Sequence, residues 1–266
     1  MTEQPELTVV VPAYNEADTI AMVIERLQAL PYELQIIVVD DCSEDGTAAV
    51  VEGLGDAVEL VRHERNQGKG AALRSGFAHA RGRIIVIQDA DLEYDPVDIP
   101  ELVAPIRSGV ADAVFGSRLI GGRPQRAHLF WHKVGNRALS LLTNVLYNTT
   151  LSDMETGYKA FTLEVLRSIE PLYESDFRIE PELTAKICRG GFRIYEVPIA
   201  YYGRTYAEGK KITWRDGLKA IWVLLAVRTS WKLSPRIASH PKMTEIAMPT
   251  TAATARRTAT CPGSGT

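Results

Sequence analysis

Cysteine is scarce. Three residues in 266, Cys42, Cys188 and Cys261, lie far apart without metal-ligand spacing, which excludes a disulfide framework and a structural zinc site. Long apolar runs are also missing. The longest, Ile221–Val227, falls well short of the roughly 18 residues that span a bilayer. The start, MTEQPELTVVVPAYNE, lacks a basic leader and runs straight into a strand pattern, so no signal peptide is expected there. The five histidines, His63, His79, His128, His132 and His240, form neither a Ser/His/Asp arrangement nor an HExxH motif. Nor is there a P-loop or a GxGxxG turn, which disfavours those two nucleotide sites.

The balance of charge is more telling than its sum. The net charge of -3 excludes a nucleic-acid partner on composition. Between Ser117 and Ser152, however, there are five basic residues and no acid, and the stretch after Trp231 carries five against one. Charge is sorted along the chain.

What is present reads as alternating strands and helices. Apolar β-branched runs at Leu7–Pro12, Leu34–Asp40, Val58–His63, Ile84–Gln88 and Ala113–Ser117 alternate with helical patterns at Ala17–Ala29, Thr47–Gly53, Lys69–Ala80 and Val97–Ile106. This predicts an α/β fold with a mostly parallel sheet, covered by helices on both faces. Ligands of such sheets bind beyond the carboxyl ends of the strands. The polar segments PAYNE, DDCSEDGT, HERNQGKG and QDADLEYD each follow a strand. The second half predicts helices at Trp131–Tyr147, Phe161–Ile169, Pro181–Arg189 and Trp214–Arg228, and a strand at Phe192–Pro198. Residues 1–231 are expected to form one catalytic domain, with a donor-binding half to residue 117 and an acceptor-side helical extension from 118. Residues 232–266 are small and polar and predict a disordered tail.

Several residues carry candidate chemistry. Asp89 and Asp91, two residues apart after a buried strand, suit a hard divalent ion, Mg²⁺ or Mn²⁺, that completes its shell with phosphate oxygens. The same pattern also serves a solvated turn closed by Asp95-Pro96. Asp40 and Asp41 end the second strand and could accept from a base or ribose, or cap the next helix. Lys69, in the glycine-flanked NQGKG, could add charge toward a phosphate, or simply begin a helix. Arg118 and the later Arg204 and Lys210 bring cations that suit a diphosphate, though each alone also reads as surface charge. Asp153 and Glu155 could orient an acceptor or act as a base, or cap the helix that follows. In Trp131–Tyr147, Trp131, Val134, Ala138, Leu141, Leu142 and Val145 share a face opposite Lys133, Arg137, Ser140 and Asn144. That face suits a membrane surface, the protein's own domain or a second copy in a homo-oligomer.

The ordered series VVVPAYNE, VVDDCSEDGT, NQGKGAALRSGF, QDADLEYDP, FGSR and DMETGYK resembles the family 2 glycosyltransferases of GT-A fold. Within them it is most similar to the dolichyl-phosphate and polyprenyl-phosphate hexose synthases, over roughly residues 7–228. The resemblance implies that Pro12, Tyr14, Glu16 and Asp40 bind the nucleotide. It also implies that Asp89 and Asp91 hold the metal, and that Arg118 is the arginine of the GSR motif. Arg204 and Lys210 would grip the donor diphosphate, and Asp153 would open the acceptor-side motif. The implied reaction moves a hexose from a nucleoside diphosphate sugar, GDP-mannose or UDP-glucose, to a polyprenyl phosphate with inversion. Glu93 stands where the mannose enzymes often carry Gln, and TGYK is nearer the glucose-transferring pattern. Arg118, Arg123, Arg126, Lys133 and Arg137 are candidates to receive the lipid phosphate. A cytoplasmic protein resting on the membrane face without a spanning helix is expected. A hydroxyl acceptor with Asp153 or Glu155 as base, and a non-catalytic sugar-nucleotide-binding protein, are the competing readings.

Overall fold

The computed structural model describes residues 4–126, 130–203 and 214–230. Seven strands form one sheet in the order β3-β2-β1-β4-β6-β5-β7. They are β1 Leu7–Ala13, β2 Leu34–Asp40, β3 Glu59–Arg62, β4 Ile84–Ile87, β5 Ala113–Ser117, β6 Lys159–Thr162 and β7 Ile194–Pro198. Eight described helices accompany them: α1 Ile20–Gln28, α2 Thr47–Glu52, α3 Lys69–His79, α4 Ile99–Arg107, α5 Phe130–Tyr147, α6 Leu163–Ile169, α7 Ile179–Gly190 and α8 Trp214–Ser230. β1 pairs in parallel with both β2 and β4, β2 with β3, and β5 with β7. Being sandwiched between helix layers, β1 is apolar on both sides. Leu7, Val9 and Val11 join one core with Ile24 and Leu102, and Val10 joins the other with Leu73 and Phe77. Gly76 lets α3 lie close on β1, because a Cβ there would run into Val10.

β6 is the departure from the expected pattern. It runs antiparallel between β4 and β5, with Val86 opposite Ala160 and Val114 opposite Ala160 on its other side. The helix expected from Phe161 therefore starts at Leu163, and the Thr162 hydroxyl caps it by accepting from the Val165 N–H at 3.1 Å. Neither Asp153 nor Glu155 serves as that cap. A four-residue strand is too short for its alternation to stand out. The sheet also joins the two expected halves, since β6 lies between strands of the first. The tail beyond residue 231 lies outside the described residues.

Of the expected apolar face of α5 only Leu142 packs inward, beside Leu139 and Leu146, against Met154, Ala185 and Leu224. Ser140 and Thr143 are buried, with Ser140 Oγ accepting from the Met154 N–H at 3.1 Å. Trp131 (77% exposed), Leu141 (64%) and Val145 (73%) face outward instead. α8 packs against α5, Tyr147 donating to the Leu224 carbonyl at 2.6 Å, and adds exposed Leu218 and Trp222. No helix among the described residues is long and apolar enough to cross a membrane.

The glycines of NQGKG have a packing role. A Cβ at Gly68 would lie 2.5 Å from the Ser175 carbonyl oxygen, and one at Gly70 would strike the Glu174 carbonyl. The Ala71 N–H already donates to Ser175 at 3.1 Å, so this N-terminus is covered by chain rather than open to an anion. Gly70→Ala is expected to destabilise the protein by about 1–3 kcal/mol through this overpacking. In a chain of this size that is a fall in Tm of several degrees by calorimetry. An unchanged Tm would contradict the close approach.

Candidate active site

The carboxyl ends of β1, β2, β4 and β5 open on the same edge of the sheet, and the antiparallel β6 brings its amino end there too. This is why DMETGYK, far along the chain, meets the acidic loops. The order of the sheet reverses at β1 and β4, where doubly wound folds leave a crevice. Asp40 lies on one side of that crevice and Asp89 on the other.

The loops after β1 and β2 are stitched together. The Asn15 N–H donates to Ser43 Oγ and the Asn15 side chain accepts from the Glu44 N–H, both at 2.9 Å. Asn15 sits at a φ of 57°, which asparagine tolerates. The Glu16 N–H donates to Thr47 Oγ1 at 2.9 Å, and its carboxylate accepts from Thr19 at 3.0 Å. The Thr19 hydroxyl also donates to the Ala90 carbonyl at 2.7 Å, anchoring the Asp89-Ala90-Asp91 turn to the start of α1. Pro12, Tyr14 and Glu16 are half-buried along this rim. Asp40 is buried and receives the Ser43 N–H. Asp41 is committed elsewhere: its carboxylate accepts from the Gln67 and Gly68 N–H groups at 2.9 and 2.7 Å and contacts His63 Nδ1 at 2.7 Å. The structure gives Asp41 a loop-holding place instead of the ligand-binding one expected.

Lys69 likewise points inward. Its Nζ lies 2.7 Å from Asp89 Oδ1 and 3.2 Å from Glu180 Oε1, and Glu180 Oε2 is 2.8 Å from the buried Lys159 Nζ. Burial would lower the Lys69 pKa, but Asp89 and Glu180 outweigh it and hold it above the ordinary value. Glu180 was not singled out by the sequence. Its place in the first turn of α7, opposite the TGYK lysine, was visible only once the chain was folded.

A second buried pair stands across the site. Arg118 meets Asp153 as a fork, Nε to Oδ2 at 2.7 Å and Nη2 to Oδ1 at 2.8 Å, and Asp153 is wholly buried. Burial pushes the Asp153 carboxyl up, and the guanidinium outweighs this to hold it below its usual value. Asp153 is thus a partner for Arg118, not a poised base. Glu196 fixes the turn from β7 by accepting from the Ser152 N–H at 2.9 Å and the Asp153 N–H at 3.2 Å. Arg118 also lies over the ring of Tyr201, which packs against Tyr94, itself stacked on Tyr158 at 5.2 Å. This column ties QDADLEYDP to TGYK. Glu155 is different again. One of its oxygens is buried without a hydrogen-bond partner. Burial, with Glu180 and Asp153 adding repulsion against Lys159 and Arg118, raises its pKa to about 7.

Beyond β5 lies a cleft lined by Arg118, Leu119, Gln125, Arg126, Lys133, Asn136 and Tyr201. Of the candidate phosphate residues it gathers Arg118, Arg126 and Lys133. Arg123 instead pairs with Glu101 and Asp98. Arg137 is exposed on α5 and does not line the cleft. Arg204 and Lys210 lie outside the described residues. Among those described, no three metal-ligating side chains converge. Asp89 and Asp91, two residues apart after β4, carry oxygen ligands of the kind a hard ion takes beside diphosphate oxygens; Asp89 Oδ1 now faces Lys69, and Asp91 Oδ1 accepts from the Glu93 N–H at 3.0 Å.

Residues 8–169 match the family model described as Glycosyl transferase family 2. The chain is 30% identical over 209 residues to the undecaprenyl-phosphate mannosyltransferase of Micrococcus luteus, covering 76% of this chain and 85% of that protein. It is 30% identical over 258 residues to the glycosyltransferase AglD of Haloferax volcanii, covering 91% of this chain but 40% of AglD, so it spans less than half of that relative. The fold is shared with glucosyl-3-phosphoglycerate synthase of Mycobacterium tuberculosis, solved with Mn²⁺, UDP and glucosyl-3-phosphoglycerate. The TM-score is 0.64 at 22% identity, over 84% of this chain and 80% of that one.

Two outcomes follow from the buried charges. Asp153→Asn strands the Arg118 guanidinium and is expected to cost about 3–5 kcal/mol, read as a large fall in Tm; a change within a degree would contradict the pairing. Glu155 has a folded pKa above its ordinary 4.5, so its contribution to stability is present below pH 4.5 and lost as pH rises toward 7. Glu155→Gln should therefore gain Tm relative to the parent between pH 5 and 8. A parallel pair of Tm-versus-pH curves would contradict this.

Proposed function

The chain belongs to glycosyl transferase family 2 and is a glycosyltransferase; from that premise we propose that it moves a hexose from a nucleoside diphosphate sugar to a polyprenyl phosphate at a membrane surface, with inversion. The observation that carries this reading is the cleft of Arg118, Arg126 and Lys133 beyond β5, whose Tyr201 packs on Tyr94 of the loop that carries Asp89 and Asp91. Cations without carboxylates in the lining suit a phosphate monoester. The name of the Micrococcus relative, an undecaprenyl-phosphate mannosyltransferase, supports the same class of acceptor.

In this reading Asp40 and the rim of Pro12, Tyr14 and Glu16 hold the nucleotide. Asp89 and Asp91 hold Mg²⁺ or Mn²⁺, which when bound stabilises charge on the departing nucleoside diphosphate. Arg204 and Lys210 are assigned to the same diphosphate. A phosphate monoester with a second pKa near ~6 is mostly dianionic at neutral pH and is its own nucleophile. No strong base is then required. Arg118, held rigid by Asp153 and Tyr201, presents its remaining edge to the acceptor. The outward apolar residues of α5 and α8 rest at the acyl boundary, so that the lipid phosphate reaches the cleft without leaving the bilayer surface.

A second reading is favoured by Glu155, whose carboxyl titrates near neutrality as a general base should. A hydroxyl acceptor would need such a base, and kcat would then rise through pH 7 and collapse in Glu155→Gln.

The test incubates the protein and Mg²⁺ with UDP- and GDP-sugars and a short polyprenyl phosphate, and counts label in the lipid. Transfer from one nucleotide class is expected, reduced at least 100-fold in Asp91→Asn, in line with loss of a group that acts on transition-state charge. No transfer from any donor would overturn the reading.

A further inference from the structure

Lys69 stands between two carboxylates. Its ammonium is 2.7 Å from Asp89 Oδ1 and 3.2 Å from Glu180 Oε1, and all three side chains are largely withdrawn from solvent. Glu180 is held firmly on one side and only loosely on the other, by Lys159 at 2.8 Å and by Lys69 at 3.2 Å. Its Oε1 is buried and receives no hydrogen bond of good geometry even with Lys69 so near. A second station for the ammonium is thus already built. Gly157 lets the backbone pass close to both Asp89 and Lys69, since a Cβ there would lie 2.8 Å from Asp89 Oδ2 and 3.1 Å from Lys69 Nζ.

We propose that Lys69 is an internal counter-ion that occupies Asp89 in the resting enzyme and gives way to a divalent cation by moving onto Glu180. The inference rests on the reading that Asp89 and Asp91 hold the ion. A buried carboxylate without a cation nearby is costly, and two cations brought onto one buried carboxylate repel each other. Lys69 resolves both conditions, because each of its stations is a carboxylate and no charge is left unpaired in either. Glu180 keeps Lys159 throughout, so the second station does not drift. Lys69 acts here as a positioning residue that tunes the metal site, with no contact to the reacting atoms.

The consequence is a pair of opposite effects on metal affinity. Removing the competitor should tighten the ion on Asp89. Removing the second station should leave Lys69 clinging to Asp89 and weaken the ion. The test measures Mn²⁺ binding to the full chain by electron paramagnetic resonance with UDP or GDP present, with Tm recorded to verify folding. Lys69→Met is expected to bind Mn²⁺ about tenfold more tightly than the parent, and Glu180→Gln about tenfold more weakly, the size of an ordinary coupling between two ligands of one site. Lys69→Gln serves if the methionine variant does not fold. Shifts in the same direction, or no shift in either, with Mn²⁺ binding still lost in Asp89→Asn, would overturn the counter-ion while leaving the metal assignment standing. If the parent binds no Mn²⁺, or Asp89→Asn binds it equally well, the metal assignment itself fails and takes the counter-ion with it.

Discussion

Asp89, Lys69, Glu180 and Lys159 meet in a line inside the protein, and the layout of the site follows from the need to keep them paired. Burying a charge without a partner costs several kcal/mol, and breaking a buried pair from one side costs nearly as much. Each member comes from a different element: the end of β4, the start of α3, the first turn of α7 and the start of β6. The line therefore clamps four elements at one edge of the sheet. The Arg118–Asp153 fork does the same for β5 and the turn before β6. Between these two clamps runs the tyrosine column of Tyr158, Tyr94 and Tyr201. Rigid placement of charged groups without water is what an enzyme acting on a leaving diphosphate requires.

Topology turns this into a site. Parallel strands deliver their carboxyl ends to one edge, and an antiparallel strand inserted among them delivers its amino end to the same place. Residues near 155 thereby face residues near 89 without a long loop. The same insertion leads the chain through α5 before β6 and through α6 and α7 after it, and α5, α7 and α8 pack on one another. That leaves the α5 and α8 pair beside the cationic cleft, with Trp131, Val145 and Trp222 facing outward. An exposed apolar surface next to a cationic cleft is the arrangement that the proposed lipid phosphate acceptor would use.

Much of this was legible in the sequence, for identifiable reasons. β1, β2, β4 and β5 are buried on both faces, so their β-branched runs stand out without regard to period. The site loops follow them because α/β sheets place function there. β6 was not legible. Lys-Ala-Phe-Thr is four residues long, and the apolar residues after it continue a helical period. Glu180 was hidden for another reason, since its meaning depends on Lys69 and Lys159, 111 and 21 positions away in the sequence. Lys69 and Asp41 read as ligand-facing from their position after strands, and both are drawn inward by partners that pattern alone does not reveal. The amphipathic face of α5 was visible, but not its direction. An apolar stripe along a helix can meet core or solvent, and only the placement of the neighbouring helices decides which.

What receives the sugar separates the two readings of the site. The most direct measurement compares one short polyprenol as its monophosphate and as the free alcohol, each with the productive sugar nucleotide, Mg²⁺ and phospholipid vesicles, following release of nucleoside diphosphate. The charges of the Arg118 cleft and the absence of any need for a strong base predict release only with the monophosphate. Equal release with the free alcohol would contradict the account and move the chemistry to Glu155.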